Sequence, residues 1–208
     1  MDFIESSAMN DRLPELRALY AEPTERSQRK EIRRLDKHCK RFIELSPFLV
    51  LASADDQNHC DASPRGGAPG FVKVLGESAL LIPDAPGNNR LDTMQNIQAS
   101  GRIGVLFLIP GVDETLRVNG RARISTDAEQ IRLCTTEKRA PKVVIEVLAE
   151  AVYLHCAKAL MRSKLWNPAN HVERSALPTM GQMIADQSGL DVASETQAAM
   201  VERYQKDL

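Results

Sequence analysis

Apolar residues in this chain recur with two periods, and the change from one to the other divides it. Between residues 24 and 46, Ile32, Leu35, Cys39 and Phe42 fall at steps of three and four. That spacing predicts one amphipathic helix, with Thr24 as N-cap, Glu25 in the first turn and Pro47 ending it. From residue 48 onward, short apolar runs alternate with turn formers. Residues 48–53, 59–63, 71–75, 79–82 and 103–109 read as strands, with turns at 55–58, 66–70, 76–78 and 110–111. The 103–109 run is too apolar for an edge and belongs in the core. Residues 115–125 alternate strictly: Leu116, Val118, Gly120, Ala122 and Ile124 face one side, and Thr115, Arg117, Asn119, Arg121 and Arg123 the other. Residues 143–148 and 151–155 supply one long strand or two short ones.

Short helices are predicted over 11–20, 91–99, 127–135, 157–166, 179–187 and 194–206, the second of them ended by Gly101. Closely spaced strands joined by tight turns indicate an antiparallel barrel or sandwich rather than a parallel sheet. The expectation is a single, mainly β domain with flanking helices (α+β): N-terminal helices over 1–46, a barrel core over 47–156 and a helical segment over 157–208.

Composition narrows the function classes. A net charge of -1 gives no global field to recruit nucleic acid or a membrane, and 4% aromatics leaves little for base stacking. One local exception is the basic face of the predicted first long helix, Arg29, Lys30, Arg33, Arg34, Lys37, Lys40 and Arg41. Glu25, Glu31, Asp36 and Glu44 offset it, so a solvated face is the simpler account. No stretch approaches the roughly 20 apolar residues of a membrane span, and the first 30 residues lack the apolar core of a secretory signal. Four widely spaced cysteines read as reduced thiols, and the expected location is the cytoplasm.

Three His-Cys dipeptides, His38-Cys39, His59-Cys60 and His155-Cys156, invite a zinc reading. Neighbouring residues diverge on both helices and strands, and no paired ligand spacing is present, so no metal is expected and these cysteines are assigned to the core. Two loops are better equipped, for an anion. Ser63-Pro64-Arg65-Gly66 offers a hydroxyl, a guanidinium and backbone donors. Asn88-Asn89-Arg90 precedes a helix start, where free N–H groups and the helix dipole favour negative charge. Lys158 and Arg162, four apart, share a helix face that either is solvated or flanks an anion. Trp166, the only Trp, either stacks on a planar ligand or anchors the core. No residue stands out as a catalytic acid or base.

With these motifs in place, Asp61-Ala-Ser-Pro-Arg-Gly, Leu81-Ile-Pro-Asp, Gly87-Asn-Asn-Arg-Leu-Asp-Thr, Gly104-Val-Leu-Phe-Leu-Ile-Pro-Gly and Glu114-Thr-Leu-Arg-Val-Asn-Gly-Arg-Ala resemble the pyridoxamine 5'-phosphate oxidase-like family of FMN-binding split barrels. The resemblance spans roughly residues 30–170 and is nearest an uncharacterised bacterial subgroup. It implies a six-stranded antiparallel split β-barrel and a homodimer with FMN at the subunit interface. It matches Ser63, Pro64 and Arg65, with Gly66, to a strand along the flavin, and Ile82, Pro83 and Asp84 to the border of the ring. Asn88, Asn89 and Arg90 stand at the phosphate cluster, and Thr115 and Arg117 at the partner's contribution. Only Arg90 keeps a positive charge in that cluster, and Lys158 or Arg162 is assigned the remainder. The oxidase's C-terminal Trp-x-x-x-Arg-Leu-x-Pro signature is absent; Leu165-Trp166-Asn167-Pro168 stands instead.

The resulting expectation is an FMN-dependent oxidoreductase acting on an unspecified small molecule. Rival readings are a flavin carrier or sensor without catalysis, a haem-binding split barrel using His155 or His171, and a nucleic-acid-binding barrel using the basic helix.

Overall fold

The computed structural model describes residues 17–189 and 195–206. Seven strands form one antiparallel sheet: β1 (Phe48–Ala54), β2 (Cys60–Gly66), β3 (Lys73–Leu75), β4 (Ala79–Pro83), β5 (Arg102–Leu108), β6 (Thr115–Ser125) and β7 (Val144–His155). Their order is β2-β1-β5-β6-β7-β4-β3, open between β2 and β3. Leu49 and Leu51 near one edge and Leu80 and Ile82 near the other belong to the same buried cluster, so the sheet must coil round a single core. This is the split barrel that the motifs implied, with seven strands rather than six.

The longest pairing, β6 with β7, contains the irregularity that permits the coiling. Asn119 pairs with Ala151 and Gly120 with Ala149, leaving Glu150 as the extra residue of a β-bulge. A Cβ on Gly120 would collide with the Leu148 carbonyl oxygen, so only glycine allows the two backbones to meet there. The bulged Glu150 gathers Arg102 at 2.9 Å and Arg121 at 2.8 Å, tying β5, β6 and β7 together.

The predicted helix over 24–46 is in fact two helices, α1 (Glu25–Arg29) and α2 (Lys37–Leu45). Thr24 caps the first as expected, accepting from Ser27 N. The break follows from the sheet. Beyond Leu148, β4 no longer covers the edge of β7, and Ile32 takes its place through Ile32 N to Val152 O (2.9 Å) and Val152 N to Ile32 O (2.8 Å). Leu35 N donates to Glu77 O, and Asp36 then caps α2 by accepting from His38 N and Cys39 N. Leu35, Cys39, Phe42 and Ile43 are buried beneath it. The basic residues are thereby split between two elements; Arg29 pairs with Glu25 and Arg41 with Glu44.

The remaining helices are α3 (Asp92–Ser100), α4 (Ala128–Cys134), α5 (Lys158–Ser163), α6 (Met180–Ser188) and α7 (Gln197–Gln205), each within a few residues of its expected place. Most of the helix expected over 11–20 lies outside the described residues, as does the start of the one expected over 194–206. Gly101 ends α3 in the left-handed conformation (φ 65°), as expected. None of the described helices is long and apolar enough to cross a membrane.

Two cysteines differ from expectation. Cys39 and Cys134 are buried, and burial raises the Cys39 thiol to about 11. Cys60 and Cys156 are exposed instead, at the start of the edge strand β2 and just past the end of β7.

Replacing Gly120 with Ala should destabilise the protein by about 3 kcal/mol, through overpacking against backbone that cannot yield. Urea denaturation of Gly120→Ala checks this: the midpoint should fall with little change in slope, whereas an unchanged midpoint would show that the bulge accepts a side chain.

Candidate functional site

The Ser63-Pro64-Arg65 segment lies within strand β2 rather than in a loop. A proline is tolerated here because β2 is an edge strand and Pro64 needs no ladder donor on its open side. Period two then sorts the side chains. Asp61, Ser63 and Arg65 are half-buried and alternate with exposed Cys60, Ala62, Pro64 and Gly66. They form a polar column on the core side of the sheet, opposite Ser53, Leu51 and Leu49.

Helix α3 closes over that column. Thr93, buried in its first turn, donates to Asp61 Oδ2 at 2.6 Å, and Ser63 Oγ donates to the same carboxylate at 2.9 and 3.0 Å. Arg65 donates to Thr93 Oγ1 at 3.4 Å and to Pro64 O at 2.8 Å. Asn96 fastens the helix to β1 through Ser53 at 3.1 Å. The start of α3 is unusual. Leu91 occupies its N-cap position with φ 61°, Asn89 has φ 60°, and no side chain caps the first amides. A left-handed leucine costs roughly 1–2 kcal/mol, the kind of local strain that gathers at working sites. The result is an entry of free N–H donors beside Arg90, whose side chain is 71% exposed and paired only with Asp92, at 2.7 Å. Arg90 also lies in the field of Asp61.

At the end of β4, Ile82 is fully buried in the core, so its side chain is not available to a ligand, while Pro83 pairs with Val144. Asp84 is half-buried, its N–H bonded to Val143 O at 3.1 Å. Burial pushes its carboxyl above the usual range, against the pull of Arg65, Lys142 and Arg139. Arg65 thus joins the Asp61–Thr93 network to Asp84. Arg65 lies in the field of Asp84 and Arg90 in that of Asp61, so two guanidiniums and the carboxylates of Asp61, Asp84 and Asp92 gather about the β2–α3 junction.

The other expected residues lie elsewhere. Thr115 is buried, and Arg117 donates to Tyr153 Oη of its own chain at 2.8 Å. Lys158 and Arg162 are exposed on α5, and among the described residues neither is bonded to β2 or α3. Trp166 donates to Val112 O at 2.9 Å and so holds the end of that segment against the β5–β6 connection. The sequence reading missed Asp61 and Thr93. Asp61 was detectable from period two with Ser63 and Arg65, but Thr93 needed the packing of α3 on β2.

A family model described as pyridoxamine 5'-phosphate oxidase matches residues 35–156. The chain belongs to that family. No curated protein matches it. Among solved structures, HupZ from Group A Streptococcus is 17% identical, with TM-score 0.48, covering 57% of this chain and 92% of its own. A putative pyridoxamine 5'-phosphate oxidase from Lactobacillus delbrueckii is 19% identical, with TM-score 0.45, covering 59% and 95%. An FMN-binding protein from Syntrophomonas wolfei is 12% identical, with TM-score 0.44, covering 59% and 89%.

The raised carboxyl of Asp84 makes a pH prediction. A raised native pKa means that the folded state holds its proton longer than the unfolded state does. That contribution is complete below the ordinary value of 3.8 and is lost as pH rises through the native value. Chemical denaturation of wild type and Asp84→Asn across this range should show wild type losing stability relative to the variant as pH rises. Parallel curves would remove Asp84 from that role.

Proposed function

We propose that this chain binds FMN, with the phosphate taken at the junction of β2 and α3, and serves as an oxidoreductase for a small molecule. The observation that carries this reading is the uncapped, left-handed entry of α3 beside Arg90, facing the Arg65 column. Free backbone donors and an exposed guanidinium suit a phosphate dianion. Asp61 already accepts from Ser63 and Thr93, whereas Asp92 would give up Arg90 to the phosphate, a cost that the guanidinium and the free amides must offset. Membership of the pyridoxamine 5'-phosphate oxidase family supports the same reading.

In this role Arg90 would release Asp92 and, with the first amides of α3, hold the phosphate. Arg65, fixed through Thr93, would orient the remainder of the cofactor from the strand, and Asp84 would border it. Bound FMN would supply hydride and electron exchange, while the chain supplies position and charge. The absent C-terminal oxidase signature supports a substrate other than pyridoxamine phosphate.

A second copy belongs to this proposal. On the outer face of the sheet, Phe48 pairs with Leu108 and Val50 with Leu106, and all four side chains are at least partly exposed. Such a strip favours burial against a partner, and a homodimer with FMN near its interface fits it.

Titration of the purified protein with FMN tests the proposal. Saturable binding with a change in the visible flavin spectrum is expected, and Arg90→Ala should weaken it by about 1.5–3 kcal/mol, the range of a charge-assisted hydrogen bond. No uptake of FMN, or uptake of haemin in its place, would overturn the reading. Unchanged affinity in Arg90→Ala would move the phosphate elsewhere.

A further inference from the structure

Arg65 is the one cation on β2, and neutral acceptors hold its guanidinium. Nη1 donates to Pro64 O at 2.8 Å and Nη2 to Thr93 Oγ1 at 3.4 Å. Among the described residues no carboxylate forms an ion pair with it. Three of the five N–H groups of the fork therefore remain for a ligand. Pro64 O is part of the preceding residue and moves with Arg65. Thr93 is the tether that ties the guanidinium to another element.

What Thr93 can offer Arg65 depends on where its own proton goes. A hydroxyl has one proton and two lone pairs, whereas a carboxylate oxygen only accepts. Thr93 donates to Asp61 Oδ2 at 2.6 Å, a short charge-assisted bond. With the proton committed there, Oγ1 is left as an acceptor, and Arg65 uses it. Ser63 is in the same position, its proton shared between the two oxygens of Asp61 at 3.0 and 2.9 Å. Asp61 thus sets the polarity of both hydroxyls. Neither can donate to an anion, so the guanidiniums and the first amides of α3 are the donors that grip one.

Thr93 also sits at the joint between strand and helix. It follows Asp92, the partner of Arg90, and lies within the first turn of α3, whose opening amides have no side-chain cap. The seat of α3 does not depend on its hydroxyl. Ile97 is buried in the core, and Asn96 donates to Ser53 Oγ at 3.1 Å. A methyl group in place of the Thr93 hydroxyl would fill the same buried space without needing partners.

We propose that Thr93, its proton directed by Asp61, is a positioning residue for ligand binding. It aims the Arg65 guanidinium at the group held on the entry of α3, so that strand and helix bind as one site. The inference rests on the anion site read at the β2–α3 junction. Residues that act as a unit give non-additive losses, and Arg65 and Thr93 should do so.

The test has two readouts. The first is NMR of the arginine side-chain N–H signals in the full-length protein without FMN, with the Arg65 signal assigned through Arg65→Lys. A restrained guanidinium signal is expected in wild type, lost in Thr93→Val and in Asp61→Asn, and recovered in Thr93→Ser. Asn96→Ala, which loosens α3 at its other tether, should leave that signal in place. The second is titration with FMN, or with inorganic phosphate if FMN does not bind. Thr93→Val should weaken binding about tenfold, and adding Arg65→Lys to Thr93→Val should weaken it little further. An Arg65 signal unaltered by Thr93→Val, or losses that multiply in the double variant, would overturn the proposal. Phosphate binding with these dependences but no FMN binding would sink the cofactor reading and support this one. Saturable binding of neither would overturn both.

Discussion

The pairing of β6 with β7 at Gly120 is the constraint from which most of the architecture follows. Because the Leu148 carbonyl presses on Gly120, the two strands can sit close only with Glu150 bulged between them. A bulge increases local twist, and twist lets strands from both ends of the sheet meet in one core. It also changes what β7 can pair with. Up to Leu148 its outer edge belongs to β4; past the bulge that edge is free, and Ile32 occupies it. The N-terminal segment, the start of α2 and the position of Lys30 therefore all depend on one residue without a side chain.

The edges of the open sheet explain where polar chemistry collects. A central strand of this barrel must bury its inner side chains, as β5 does with Ile103, Val105 and Phe107. β2, paired on one side only, can carry Asp61, Ser63 and Arg65 on its inner face, because α3 rather than another strand covers them and supplies a hydroxyl in return. Pro64 belongs to the same logic, since it needs an edge and discourages a further strand from adding there.

These features also show why some elements could be read from the sequence and others could not. The strict alternation of β6 and the apolar run of β5 are local signals, and they placed both strands correctly. From its residues alone the strand over 59–63 was ended too early and Ser63-Pro64-Arg65-Gly66 read as a loop, although the family resemblance matched Ser63-Pro64-Arg65 to a strand; the tolerance of turn formers in a strand depends on which side is open, and that is a property of the sheet. The continuous periodicity from Ile32 to Phe42 likewise hid the break between α1 and α2. Ile32 satisfies a helix pattern and a bridge to Val152 equally well, and only the missing neighbour of β7 decides between them. In the site, Arg65 and Arg90 were visible as basic residues in polar surroundings. The Asp61–Thr93 bond joins positions 32 apart in sequence and had no pattern to announce it.

The entry of α3 departs from what would stabilise the fold most. A serine or aspartate at the position of Leu91 would satisfy the first amides of the helix, a gain of about 1 kcal/mol, and would relieve an apolar side chain that is half exposed. The chain forgoes that gain and adds the cost of a left-handed leucine. Both choices act in one direction: they leave donors unoccupied beside Arg90. Asn89 enters the turn at lower cost, since a short amide side chain tolerates the left-handed region, and the Asn88 side chain holds the backbone N–H of Arg90 at 3.1 Å. The strain is thus confined to a three-residue turn, braced on one side by Asn88 and on the other by the anchored first turn of α3. An anion bound there would satisfy the amides that a cap would otherwise have taken, so the stability forgone in the free chain returns on binding.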